Sequence, residues 1–338
     1  MSNRHIIYTR QYSISDAGVF TFINGVLKLL INKQIIEVFD RASRMSFLGL
    51  IFAKRKEHLV ISFHCIWSVT LLITLILNRF FRNRILIFTH GMLEPWPLTK
   101  RSRLKLTVLR IIEFLGTKNV TFVGISVDEV KNTKLLVKYL DVEYLNPFVE
   151  SENVIPKPKR DWRKIIYIGR FHEKKGLKEL ISAFEMVEKE GLDLNLDIFG
   201  FGSFEYTEEL KLSANLLSRV KINEGIFGSD KWRTLAKSGA IILPSKSENF
   251  GYVIPEAMSQ GCIILTTPNT PWPVEISSDA LILIGDVNAV SIYKSLKKYY
   301  YLKNETLKIS AYSNQLKKIF HGRFSEEAVS QNYLKLFK

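Results

Sequence analysis

The stretch "AIILPSKSENFGYVIPEAMSQG", Ala240–Gly261, reads as a strand, a loop and a helix in immediate succession. "AIILP" is short, β-branched and uncharged, the pattern of a strand buried on both faces. "SKSENFG" is a polar loop, and "YVIPEAMSQ" is a helix stopped by Gly261. Pro255 is tolerated only in the first helical turn, where its missing N–H costs nothing, so the helix starts close to Gly251. The first amides of a helix lack partners inside it, which makes that end an anion site. Glu248 stands on the loop before the helix, and Glu256 about one turn inside it. Helix capping accounts for Glu248 in part but not for Glu256. At this spacing the carboxylates project to different parts of a ligand crossing the helix end, and do not form a close acid–base pair.

The same alternation runs outward in both directions. Upstream, "HIIYTR", "QIIEVF", "LVISF", "ILIFTH", "VTFVGIS" and "VEYLN" read as strands, separated by helix-like runs such as "AGVFTFINGVLKLLIN" and "SRLKLTVLRIIEFLG". "NPFVESENVIPKPKRDW", with three prolines and mixed charge, breaks the pattern. It restarts with "KIIYIGR", and Leu177, Leu180, Ile181, Phe184 and Val187 follow at helical spacing. "LNLDIFG", "VKINEG", "CIILTT" and "ALILIG" supply further strands. Repeated βα units imply parallel sheets. The expected architecture is α/β: two Rossmann-like domains facing each other across a cleft. Their bounds are 1–150 and 163–320, with a linker over 151–162 and a final segment over 321–338.

Composition bounds the function. The 338 residues suffice for two domains, and 46% hydrophobic with 24% charged residues is globular composition. The net charge is +15, and residues 1–150 hold +10 of it, with 21 Lys and Arg against 11 Asp and Glu. Such a surface attracts nucleic acid, anionic lipid or phosphate-bearing substrates. Cys65 and Cys262 show no metal or redox spacing, which fits a reducing compartment. The start of the chain lacks a signal-peptide pattern. "LVISFHCIWSVTLLITLIL", Leu59–Leu77, carries no Lys, Arg, Asp or Glu, yet it divides into a strand and part of a helix, so a buried βα pair is expected and not a membrane span.

Three further features stand where such sheets bind ligands, beyond the strand carboxyl ends. In "GRFHEKKG", Gly169 allows a tight turn, and Arg170 and Lys175 can approach one anion from two sides. In "FGFGSFEY", Gly200 and Gly202 open a dinucleotide fingerprint, but Glu205 occupies the third glycine position, so a tight strand-to-helix turn is expected. "FTHGMLEPWPL" puts His90 at the end of a buried strand, where it can serve a ligand hydroxyl or phosphate or simply complete the core.

Taken together, these residues resemble a family 4 (group 1) retaining glycosyltransferase of the GT-B fold. The resemblance rests on "GR" with "KKG", "INEGI", the E-x7-E pair around "NFG", and "PEAMSQG"; "HGMLEPWPL" and "TPWPVEI" are similar to a bacterial polysaccharide-assembly branch. Only Gly18 stands for the glycine pair of the family's first loop, and "SSDALILIGD" replaces its usual glycine-rich segment. The tail "FSEEAVSQNYLKLF" within 321–338 resembles the family's closing helix, which implies a helix crossing back to the first domain. The resemblance implies transfer from a nucleotide-sugar, UDP- or GDP-linked, with retention and with no required cofactor or metal. It implies that Arg170 and Lys175 hold the diphosphate, and that Glu248 holds sugar hydroxyls, helped by amides near Phe250, Gly251 and Tyr252. Glu256 would take the ribose and Gly225-Ile226 the base, with Gly169, Gly200 and Gly18 lining the donor and His90 facing the reacting sugar. A lipid-linked or lipopolysaccharide acceptor follows, on the cytoplasmic face of an anionic plasma membrane. Two rivals stand beside this reading: a GT-B nucleotide-sugar epimerase, and a non-enzymatic basic protein that binds nucleic acid or membrane.

Overall fold

The computed structural model describes residues 4–10, 17–30, 35–94, 102–116, 118–156, 158–276 and 279–337. The chain divides into two compact units, Met1–Phe148 with Glu326–Lys338, and Val149–Ser325.

The first unit alternates β1 (Arg4–Tyr8), α1 (Ala17–Leu30), β2 (Ile35–Phe39), α2 (Arg44–Ala53), β3 (Val60–Phe63), α3 (Val69–Phe81), β4 (Arg84–Phe88), α4 (Ser102–Leu115), β5 (Val120–Gly124), α5 (Val127–Leu136) and β6 (Asp141–Tyr144). The strands are all parallel, in the order β2-β1-β3-β4-β5-β6. The order reverses between β1 and β3, and open sheets of this kind take ligands beyond the strand ends at that point. The apolar run Leu59–Leu77 is divided between β3 and α3. It buries Phe63, Leu71 and Leu75 against Phe47, Ile61 and Phe122. Among the described residues, no helix is long and apolar enough to cross a membrane.

The second unit runs β7 (Asp161–Ile168), a 3-10 turn (Glu173–Lys175), α6 (Leu177–Lys189), β8 (Asn195–Gly200), α7 (Phe204–Ala214), β9 (Val220–Glu224), α8 (Gly228–Lys237), β10 (Ser238–Leu243), α9 (Val253–Gln260), β11 (Ile263–Thr266), α10 (Trp272–Glu275), β12 (Leu281–Leu283), α11 (Ala289–Asn304) and α12 (Thr306–Arg323). Its six strands are also parallel, in the order β12-β11-β10-β7-β8-β9, with the reversal between β7 and β10. Leu177, Leu180, Ile181, Phe184 and Val187 form the buried face of α6.

Two boundaries differ from the sequence reading. β7 begins at Asp161, within the segment expected to be linker, because Asp161 already pairs with Ser238 of β10 ahead of the apolar run Ile165–Ile168, which lies between β8 and β10. The return to the first unit begins at Glu326 and not at 321. Leu316 and Phe320 of α12 are buried, and Ser313 donates to the Gly261 carbonyl at 2.7 Å, so that helix stays with the second unit. The closing helix α13 (Glu326–Leu336) packs on α1, and its Tyr333 hydroxyl accepts the Phe148 amide at 3.0 Å.

Candidate functional site

In the second unit the reversal point puts two loops side by side, one after β7 and one after β10. The first carries Gly169, Arg170 and Lys175, and the second carries Glu248. The loops are tied directly, since the Lys246 amide donates to the Lys174 carbonyl at 2.7 Å. Gly176 makes this approach possible. It has φ +68°, and a Cβ there would stand 2.3 Å from the Pro244 carbonyl oxygen, so any side chain would push the loops apart. Gly200 has a similar packing reason: its Cβ would stand 1.9 Å from the Gly169 oxygen. The "FGFG" turn therefore lies against the "GRF" turn, with the Phe171 amide donating to the Phe201 carbonyl at 2.7 Å. α7 then starts at Phe204, capped by Ser203.

The charged side chains pair in a way that spacing did not reveal. Lys175, buried, is hydrogen-bonded to the Glu248 carboxylate. Glu256, also buried, accepts from Lys231 at 2.7 Å. Burial pushes the Glu256 carboxyl up, and the Lys231 ammonium opposes that. Lys174 is lowered by burial and by the neighbouring Lys175. Arg170 is exposed, its carbonyl accepting from the Tyr167 hydroxyl at 2.9 Å, and among the described residues its guanidinium holds no ion pair. Two carboxylates are thus each held by a lysine, with Arg170 outside both pairs.

α9 starts at Val253, two residues after Gly251, with Pro255 in its first turn. Fewer amides are free than the sequence suggested: Pro255 has none, Ile254 donates to Gly251 at 2.9 Å and Glu256 to Tyr252 at 3.2 Å. The Phe250 ring is buried against Trp272, centroids 5.0 Å apart, so only its backbone can serve a ligand. The Ser245 hydroxyl, the Asn249 side-chain oxygen and the Trp272 indole nitrogen are buried without a hydrogen-bond partner among the described residues. Such groups are costly unless something satisfies them. Gly225 and Ile226 follow β9, half-buried, next to Phe227, whose ring lies 6.5 Å from that of Phe201. Among the described residues no three His, Cys, Asp or Glu cluster in a way that could hold a metal ion.

His90 and Gly18 belong to the first unit. Gly18 is exposed on α1, and most of the loop before it lies outside the described residues. His90 follows β4 with φ +43°, an uncommon backbone for a residue with a Cβ. Glu129 holds that backbone: its carboxylate accepts from the Thr89 hydroxyl at 2.6 Å, the Gly91 amide at 2.5 Å and the Ile125 amide at 2.7 Å. Burial, then the Glu129 carboxylate, pushes Glu94 up to about 7, and Asn132 donates to it at 2.7 Å. Residues 95–98 of the "HGMLEPWPL" motif lie outside the described residues.

A family model described as "Glycosyl transferases group 1" matches residues 150–327, more than half of the chain. The chain belongs to that family. It is 25% identical over 220 residues to the uncharacterized glycosyltransferase YqgM of Bacillus subtilis (strain 168), an alignment spanning 64% of this chain and 60% of that protein. Anabaena Alr3699/HepE in complex with UDP is 14% identical and superimposes with a TM-score of 0.76 over 98% of both chains. WaaG, a glycosyltransferase involved in lipopolysaccharide biosynthesis, is 11% identical and superimposes at 0.68 over 99% of both. The two six-stranded parallel sheets are those of GT-B glycosyltransferases, and neither the epimerase nor the nucleic-acid reading is favoured.

The group 1 family and the E-x7-E loop were legible as residues in line. Lys231, Glu94, Glu129 and Trp272 were not. Lys231 is one of many lysines in the sequence, and only the packing of α8 beside α9 sets it against Glu256. For Glu94 a signal existed, an acid four residues beyond His90 in an otherwise apolar motif.

Proposed function

We propose that the chain is a retaining glycosyltransferase of family 4 that moves a sugar from a UDP- or GDP-sugar to a lipid-linked or polysaccharide acceptor at an anionic membrane surface. The observation that carries the reading is the pair of lysine-held carboxylates, Glu248 and Glu256, flanking the start of α9 at the β7/β10 reversal. In this reading Arg170 and Lys175 take the diphosphate, and Lys175 exchanges its bond to Glu248 for phosphate oxygens. Glu248 is then released to accept from sugar hydroxyls, and Glu256 accepts from the ribose hydroxyls. Cations placed where leaving-group charge develops lower the barrier directly. The departing phosphate takes the acceptor proton on the same face of the sugar, which yields retention. HepE is solved with UDP-glucose as well as with UDP, which supports a nucleotide-sugar donor.

The membrane part rests on a face of the first unit. α2 and α3 contain no acidic residue and pack beside each other, and α4 packs on α3. Across them Met45, Phe52, Val69, Ile76, Phe80, Leu104 and Phe114 are exposed, with Arg79, Arg103, Lys105 and Arg110 in the same helices. The one acid of α4, Glu113, accepts from the Lys138 and Tyr139 amides. Exposed aromatics among cations match an interfacial surface.

Thermal shift with UDP-, GDP-, ADP- and dTDP-sugars, followed by turnover with a polyprenyl-diphosphate-sugar acceptor, tests the reaction. Stabilisation by one nucleotide series with acceptor-dependent release of nucleotide is expected, and nucleotide release without any glycosylated product sinks the transferase reading. Sedimentation with phosphatidylglycerol vesicles should exceed that with phosphatidylcholine in low salt and fall in Phe80→Glu/Phe114→Glu. Equal binding to both lipids refutes the electrostatic association.

A further inference from the structure

Four side chains of the first unit join into one hydrogen-bonded line across neighbouring strands. His5 Nε2, on β1, lies 3.0 Å from Ser62 Oγ on β3. The same Oγ lies 3.2 Å from His64 Nε2. His64 Nδ1 lies 2.8 Å from His90 Nε2, beyond the end of β4. His5, Ser62 and His64 are fully buried, and His90 is half-buried. The rings are held by stacking. His64 lies flat on Phe88 with centroids 4.6 Å apart and an interplanar angle of 6°, His90 stacks on His64 at 5.1 Å, and Phe337 of the closing segment covers His5 at 4.5 Å.

The line has a direction. Burial lowers His5 and His90 to about 3 and His64 well below its ordinary value, so all three imidazoles are neutral near pH 7. A neutral imidazole offers one N–H and one bare nitrogen, and a serine offers one O–H. Each link therefore constrains the next. If His90 Nε2 donates and the line runs toward β1, it ends on an N–H at His5 Nδ1. That atom is buried and has no hydrogen-bond partner among the described residues, and an orphaned buried N–H is a rare and costly state. If His5 and His64 both donate to Ser62, the serine proton is stranded in the core instead. In the remaining arrangement His5 Nε2–H donates to Ser62, Ser62 O–H donates to His64 Nε2, and His64 Nδ1–H donates to His90 Nε2. It leaves only a bare lone pair at His5.

We propose that His5, Ser62 and His64 are positioning residues that fix His90 as its Nδ1–H tautomer, making it a hydrogen-bond donor and not a base. Glu129 completes the device by holding the neighbours on both sides of His90, the Thr89 hydroxyl and the Gly91 amide. The ligand group His90 serves is then an oxygen with a free lone pair, such as a hydroxyl, ring or phosphate oxygen. That a substrate sugar brings this oxygen rests on the glycosyltransferase reading; the tautomer itself does not.

The test uses the full chain labelled with ¹⁵N-histidine. A long-range ¹H–¹⁵N spectrum at pH 7.5, assigned by difference from His90→Gln, His64→Gln and His5→Gln, reads each tautomer directly. His90 and His64 should be protonated at Nδ1, and His5 at Nε2. His90 protonated at Nε2 overturns the proposal. Ser62→Ala cuts the line: His90 should become a tautomer mixture, with kcat about tenfold lower and the KM for nucleotide-sugar within about twofold, and Ser62→Thr should restore both. A Ser62→Ala protein with a lower Tm but an unchanged His90 tautomer and kcat makes the line mere packing, and overturns its positioning role. The expected tautomers in a chain that turns over no nucleotide-sugar would uphold the line and overturn the proposed function.

Discussion

The two units share a sheet topology but arm their strand ends in opposite ways. In the second unit the reversal point is lined by charges already paired, Lys175 with Glu248 and Lys231 with Glu256, next to Arg170, which holds no ion pair among the described residues. In the first unit it is lined by neutral imidazoles and a serine, His5, Ser62, His64 and His90, packed among Phe22, Phe88 and Phe337. The same scaffold thus holds a cluster of paired charges in one unit and a hydrogen-bonded line of neutral side chains in the other. Charges near a partly open loop keep their hydration or their partners. Imidazoles under a closing helix lose water and stay neutral.

The largest effect that would break this contrast is in the charged site. Lys175→Met should lower turnover about a thousandfold with an unchanged circular dichroism spectrum. Full turnover removes Lys175 from the chemistry. Next is the scaffold beneath it. Gly176→Ala forces a Cβ onto the Pro244 carbonyl, so urea unfolding should show a loss of about 3 kcal/mol. A change under about 0.5 kcal/mol shows that the two loops can separate freely.

Glu256→Gln keeps the shape of the side chain but loses its charge. Nucleotide affinity by calorimetry should weaken about tenfold to a hundredfold, as for one charge-assisted hydrogen bond; unchanged affinity would leave Glu256 as no more than a partner for Lys231. The smallest effect concerns the neutral site. A histidine with a depressed folded pKa contributes stability that is present above its unfolded value near 6.5 and lost as pH falls toward the folded value of about 3. Between pH 7.5 and 5.5 each of these histidines should contribute about 1.4 kcal/mol to the loss of unfolding free energy. His5→Gln should remove about that much from the slope, and an unaltered slope means that His5 is not neutral in the folded chain.

Much of the second unit was legible because its candidate site lies in contiguous stretches: Gly169–Gly176 and Ser245–Gly261 each follow a strand and carry the turn and the candidate ligand residues in line. Pro255 and Gly261 bracketed α9 correctly through local backbone chemistry alone. The first unit was legible only in layout. His90 stood out at a strand end, but His5 and His64 carried no local signal, because nothing along the chain distinguishes a linked histidine from a satisfied one.

The sequence by itself determined the two parallel α/β units, the helix start beside Glu248, and the cations after β7. These follow from periodicity, proline and glycine, which act over a few residues. The tertiary structure decided which charges are paired, that Phe250 is core, and that three histidines far apart in the chain share one hydrogen-bonded line. Those facts depend on strand order and helix packing, and a residue's neighbours across a sheet are set by the whole fold and not by its place in the chain.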